Sequence, residues 1–231
     1  MSGGERWSVL FDLDGTLIHT APDLVGALND MRREDGHDPL SVEALAPYCS
    51  YGGRGLLGRG YGLTPDDPGY REAYDRFIAA YRGRMTQNSR PYDGIRELVA
   101  RLGTAGRAWG VVTNKVEALA VPLIEFTAFD PAPDAVIGGD TAGVSKPDPA
   151  PILLACERMG VDPANCVYVG DSDRDIVAGR AAEMPTIAAG YGYIPVDDDI
   201  AAWRADAVVD TPAELWEAIV RLQPDQPIRR I

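Results

Sequence analysis

A chain of 231 residues can bury a substantial core, and it suits one domain carrying an insertion or two small domains. Its 45% apolar content is that of a globular protein, while a net charge of −13 repels a phosphate backbone over most of the surface and sets nucleic acid aside as a partner. Cys49, Cys156 and Cys166 are odd in number and lack CxxC spacing, which argues against a disulfide framework and a zinc site and for thiols in a reducing cytosol. No apolar run reaches membrane-spanning length, and the opening MSGGERW lacks the basic-then-apolar pattern of a signal peptide. The expectation is a cytoplasmic chain with no membrane contact, with monomer and homodimer both open.

Residues 8–13 read as a buried strand that runs into FDLDGTL, residues 11–17. The C-terminal end of such a strand is where an open α/β sheet keeps its ligand crevice. Asp12 and Asp14 would stand at its mouth, and two like charges so close together tolerate burial only if a cation or a proton is shared between them. That points to a metal site or an acid/base pair; an Asx-type turn with exposed aspartates is the alternative. Ala21-Pro22-Asp23 then starts a helix that carries Leu24, Leu28 and Met31 at helical spacing until Gly36. A second helical stretch covers 41–48, opening with Ser-x-Glu. The glycine-rich YGGRGLLGRGYGL at 51–63 follows with Arg54 and Arg59, and a longer helix at 66–85 aligns Tyr70, Tyr74, Phe77, Ile78 and Tyr81 on one side. Only helices and turns fill 18–90, and a structureless loop of that length is improbable inside a compact domain. Residues 18–90 are therefore expected to form a small helical domain inserted into a core made of 1–17 and 91–231.

Beyond Pro91 the pattern alternates. Helices are expected at 93–102, 117–125, 149–159, 174–183 and 212–222, and strands at 109–113, 135–138, 166–170, 186–189 and 207–209, before a polar tail with Pro224 and Pro227. Apolar runs separated by amphipathic helices imply an α/β fold with an open parallel sheet covered on both faces, a Rossmann-like core.

Four polar clusters fall at or just beyond predicted strand ends: Asp12 with Asp14, Thr113 with Asn114 in VVTNK, Lys146 in SKPDP, and Asp171 with Asp175 in GDSDRD. In a parallel sheet these ends share one edge, so distant residues converge. Each cluster also has a plain structural reading. Thr113 and Asn114 could cap the next helix, Lys146 could be solvated, and Asp171 and Asp175 could sit on a first helical turn where the dipole favours acids.

In this order, DLDGT, the strand ending in Thr113-Asn114, Lys146 before Pro147, and GDSDRD resemble the four motifs of the haloacid dehalogenase (HAD) superfamily over nearly the whole chain. The helical insertion after the first motif is similar to that family's C1 cap. Gly190-Tyr191-Gly192-Tyr193 and the closing ADAVVDTPAEL look like the phosphoglycolate phosphatases. Trp109 and GGDT at 138–141 also resemble the N-acetylmuramic acid 6-phosphate phosphatases.

The resemblance implies a phosphatase acting on a small-molecule phosphate monoester. Asp12 would be the nucleophile, and Asp14 would be the acid and base at the leaving oxygen. Thr113, Asn114 and Lys146 would hold the phosphoryl group. The metal would be Mg²⁺, held by the Asp12 and Asp171 carboxylates and the Asp14 carbonyl, with Asp175 behind them holding a water or orienting Lys146. Arg54 is the cap residue expected to reach a substrate carboxylate or sugar oxygen, against the reading of an ordinary surface arginine. A phosphosugar mutase and a phosphate-accepting receiver domain share parts of this constellation. His19 and His37 suggest no imidazole base.

Overall fold

The computed structural model describes residues 7–222. The tail with Pro224 and Pro227 and the opening segment before Trp7 lie outside the described residues. Six parallel strands form one sheet in the order β5-β4-β1-β6-β7-β8. They are β1 (Ser8–Phe11), β4 (Trp109–Val112), β5 (Ala135–Ile137), β6 (Cys166–Gly170), β7 (Thr186–Ala189) and β8 (Ala207–Val209). Alternate residues along the strands serve two different cores. Val9, Phe11, Val111, Val167, Val169 and Ile187 pack with helices α5 (Ile95–Thr104), α6 (Glu117–Thr127) and α9 (Leu215–Leu222). Leu10, Val112 and Tyr168 pack on the other face with α7 (Ala150–Met159) and α8 (Asp173–Ala181). Both faces are dry, which is why the strands read as continuous apolar runs rather than alternating ones. The chain goes from β1 to β4 and β5 on one side and then crosses to β6 on the other, so β1 sits at the reversal of strand order where α/β sheets open a crevice.

Between β1 and α5 the chain is mostly helical: α1 (Ala21–Glu34), α2 (Val42–Leu45), α3 (Gly52–Tyr61) and α4 (Tyr70–Arg82). Their apolar faces share a cluster of their own, with Leu28, Leu56, Leu57, Phe77 and Tyr81 at its centre and Leu119 and Tyr193 joining it. One detail departs from the expectation of helices and turns alone. The two passages of chain into and out of this region pair as a short antiparallel ribbon, β2 (Ile18–His19) with β3 (Arg90–Pro91). The glycine-rich stretch is a helix, α3, although each interior glycine costs about 1 kcal/mol against alanine. Packing outweighs propensity here: a Cβ on Gly60 would stand 2.7 Å from Leu28, so the glycine is what lets α3 lie against α1. The long helix begins four residues later than expected, at Tyr70, because Gly69 enters it with φ 85.

Candidate active site

Phe11 is paired with Val111 on one side and Val169 on the other, so the residues that follow β1, β4 and β6 leave the sheet side by side. Asp12, Thr113 and Asp171 are those residues. Lys146 arrives from the loop between β5 and α7. Its ammonium lies 2.9 Å from Asp12 Oδ1, 2.6 Å from Asp175 Oδ1, 2.9 Å from the Tyr168 hydroxyl and 2.7 Å from the Val112 carbonyl. Burial alone would discharge this lysine, but the charges of Asp12 and Asp175 outweigh it and keep the ammonium protonated well above its ordinary range. The solvated-lysine reading fails, since the side chain is only 2% exposed.

Asp171 precedes α8 rather than sitting on its first turn. Ser172 is the N-cap, and Asp175 returns a side-chain oxygen to the Ser172 N–H at 3.1 Å, completing a capping box. Asp171 accepts from the Thr16 hydroxyl at 3.1 Å, the Ser50 hydroxyl at 3.0 Å and the Tyr193 N–H at 2.8 Å. The chain closes so tightly around it that a Cβ on Gly15, at φ +86, would stand 2.1 Å from its Oδ2, and one on Gly192 would stand 2.2 Å from its Cβ. Burial, with the nearby charges of Asp12 and Asp175 added, raises the carboxyl of Asp171 above the ordinary range. Burial likewise raises Asp175, against the pull of Lys146. Carboxylate oxygens of Asp12, Asp171 and Asp175 all lie within 4.8 Å of one another. Three buried hard-oxygen donors around so small a volume, two of them pushed toward protonation by burial and then by their neighbours' charge, are the donor set a small divalent cation suits.

Thr113 and Asn114 do not cap α6, whose N-cap, Val116, contributes no side-chain bond. The Thr113 hydroxyl accepts the Lys115 N–H at 3.1 Å. Both ends of the Asn114 amide hold the backbone of Lys146, each at 3.0 Å, which ties the second cluster to the third. Asp14 accepts from the Thr20 hydroxyl at 2.6 Å and pairs with the Lys115 ammonium at 3.0 Å. Lys115 was invisible as a partner in the sequence. Its only signal is its place directly after Thr113-Asn114; Arg174 lies inside GDSDRD without being singled out, and Ser50 carries no motif at all. His19 stands 3.1 Å from the Tyr193 hydroxyl, where burial lowers its pKa, and neither histidine lines the cavity.

A cavity of about 170 Å³ lies between these strand ends and helices α3 and α4. Asp12, Asp14, Thr113, Asn114, Lys146 and Asp175 line its floor, while Tyr74, Phe77, Ile78 and Tyr81 from α4 face them. Arg54, on α3, is exposed at the rim of the same cavity.

The model of the haloacid dehalogenase-like hydrolases matches residues 9–189, which contain every one of these clusters. The chain belongs to that family. This hydrolase is 40% identical over 214 residues to an N-acetylmuramic acid 6-phosphate phosphatase of Pseudomonas aeruginosa, covering 93% of this chain and 95% of that protein. It is 41% identical over 218 residues to a phosphoglycolate phosphatase of Xanthomonas campestris pv. campestris, covering 94% and 98%. Its fold matches the crystal structure of a predicted phosphoglycolate phosphatase from Haemophilus somnus with a TM-score of 0.81 at 26% identity, over 94% of this chain and 99% of that one. No helix among the described residues is long and apolar enough to cross a membrane.

Proposed function

We propose that this haloacid dehalogenase-like hydrolase is a Mg²⁺-dependent phosphatase of small phosphate monoesters whose substrate is phosphoglycolate. The observation that carries the reading is the contact of Lys146 with Asp12 at 2.9 Å across 134 residues of chain, at the floor of a cavity that also holds Asp14 and Thr113. A fixed ammonium beside a carboxylate that lies open to a cavity is an arrangement for an incoming phosphoryl dianion.

Asp12 attacks phosphorus in line, giving an aspartyl phosphate and dividing one displacement into two. Asp14, held by Thr20 and Lys115, gives a proton to the departing alcohol and then takes one from the water that hydrolyses the intermediate. Lys146, the Thr113 hydroxyl and the backbone of Asn114 hold the phosphoryl oxygens; the Asn114 side chain is already spent on the Lys146 loop. Asp12, Asp171 and the Asp14 carbonyl would hold Mg²⁺, which supplies charge neutralisation between a carboxylate nucleophile and a phosphate. Asp175, engaged by Lys146 and Ser172, orients the lysine. Residues 18–90 act as a cap that excludes water and selects the alcohol, and Arg54 at the rim is its contact for a distant acidic or sugar group. The three cysteines, all free and buried, support a cytoplasmic setting.

N-acetylmuramic acid 6-phosphate is the second reading, favoured by the Pseudomonas relative. Comparing kcat/KM for phosphoglycolate, N-acetylmuramic acid 6-phosphate and several hexose phosphates decides between them. If neither of the first two is preferred by at least about tenfold over the hexose phosphates, both assignments fall. Repeated turnover of an aryl phosphate with Mg²⁺ separates a phosphatase from a receiver domain, and a free hexose rather than an isomeric phosphate separates it from a mutase.

A further inference from the structure

Phosphoglycolate brings a carboxylate into a cavity already lined by Asp12, Asp14 and Asp175. That extra negative charge needs a cation of its own. Four cationic side chains line the cavity: Arg54, Lys115, Lys146 and Arg174. Lys146 is already given to the phosphoryl group in the mechanism above, with Asp12, Asp175, Tyr168 and Val112 oxygens around it at 2.9 Å or less. Arg174 donates to the Ser50 carbonyl at 2.6 Å and stacks over the Tyr51 ring at 4.7 Å. Arg54 stands exposed at the rim.

Lys115 differs from all three. Its side chain is 7% exposed, its ammonium is 3.0 Å from Asp14 Oδ1 and 3.2 Å from the Tyr81 hydroxyl, and among the described residues these are the partners of only two of its three N–H donors. Asp14 is the group that meets the ester oxygen in the mechanism above, and the inference rests on that reading. In phosphoglycolate the carboxylate is bonded to the very carbon that bears this oxygen, so the cation it can reach must stand next to Asp14. We infer that Lys115 is the specificity residue that binds a carboxylate carried on the carbon next to the ester oxygen. The acid group of an N-acetylmuramic acid 6-phosphate is carried across the sugar ring from the phosphate, not on the carbon that bears the ester oxygen.

The test compares kcat/KM for phosphoglycolate with that for its uncharged amide, in the wild-type protein and in Lys115→Met and Lys115→Gln. Because Lys115 also touches Asp14, both substrates are expected to lose rate in the variants, so the readout is the acid-to-amide preference. In wild type that preference is expected to be at least about tenfold, as for a hydrogen bond to a charged group, and in the variants it collapses toward one. Equal losses on both substrates with the preference intact overturn the assignment and leave Lys115 a support for Asp14. If the Lys115 variants do not fold, Arg54→Gln and Arg174→Gln decide. The preference surviving in both supports Lys115, and its loss in either assigns the carboxylate to that arginine and overturns the inference. A wild-type protein that turns over an aryl phosphate but not phosphoglycolate overturns the substrate reading itself, an outcome distinct from loss of the Lys115 assignment alone.

Discussion

Lys146 and Lys115 are both buried ammonium groups that face an aspartate of the same DLDGT segment, yet they are held differently. All four oxygens around Lys146 belong to the α/β core: Asp12, Val112, Tyr168 and Asp175. Lys115 has one partner in the core, Asp14, and one on α4 of the helical insertion, Tyr81. The first group is preorganised wherever the insertion sits; the second is complete only with α4 over the strand ends. In the proposed mechanism, the half of the site that every phosphate ester needs would thus be built into the sheet, and the half that sees the rest of the substrate would be shared with the helical insertion.

The strongest way to break this comparison is at the core half. Asp12→Asn should lower kcat by about 10⁴-fold or more while a thermal melt stays within a few degrees of wild type. Retention of most of the activity would take the nucleophile role from Asp12. Asp14→Asn should cost about 10²–10⁴-fold in kcat, and less on aryl phosphates, whose alcohols leave without a proton. A uniform loss across leaving groups would mean that Asp14 is not the acid. Lys146→Met leaves Asp12 and Asp175 buried without their cation, and urea unfolding should report a loss of about 3–5 kcal/mol; a near-neutral result would show that water already compensates this group. Mg²⁺ at a hundred times its Kd should stabilise the protein by about 2.7 kcal/mol, seen as a raised Tm reversed by a chelator. Asp171→Asn should remove the shift, and a shift that persists would place the ion elsewhere. The smallest effect sharpens the cap half. Arg174→Ala removes the guanidinium from the Ser50 carbonyl and from Tyr51, and at about 1 kcal/mol should raise KM about fivefold with kcat unchanged.

Much of this was legible in the chain because it depends on periodicity. Strands β6, β7 and β8 have the expected bounds, and the others differ by a residue or two at their ends, where pairing rather than composition stops a strand. The glycine-rich segment was the hardest to read, since its helix exists by virtue of close approach to α1, which no local propensity encodes. The site followed the same division. Asp12, Thr113 and Asp171 could be placed together because they follow neighbouring strands; Lys115 and Arg174 sit within those strand-end stretches but nothing in the spacing marked their partners, and Ser50 and Thr20 belong to no strand-end pattern.

The sequence by itself determined the parallel α/β core, the inserted helices and the four clusters at one edge of the sheet, because alternation of apolar runs dictates layers and layers dictate where strand ends lie. Only the tertiary structure decided that Asn114 holds the Lys146 loop rather than capping α6. It alone decided that Asp171 is enclosed by Thr16, Ser50 and Tyr193, and that a second lysine stands between Asp14 and Tyr81. Such contacts depend on side-chain directions set by the packing of elements far apart in the chain, and no spacing within one segment carries that information.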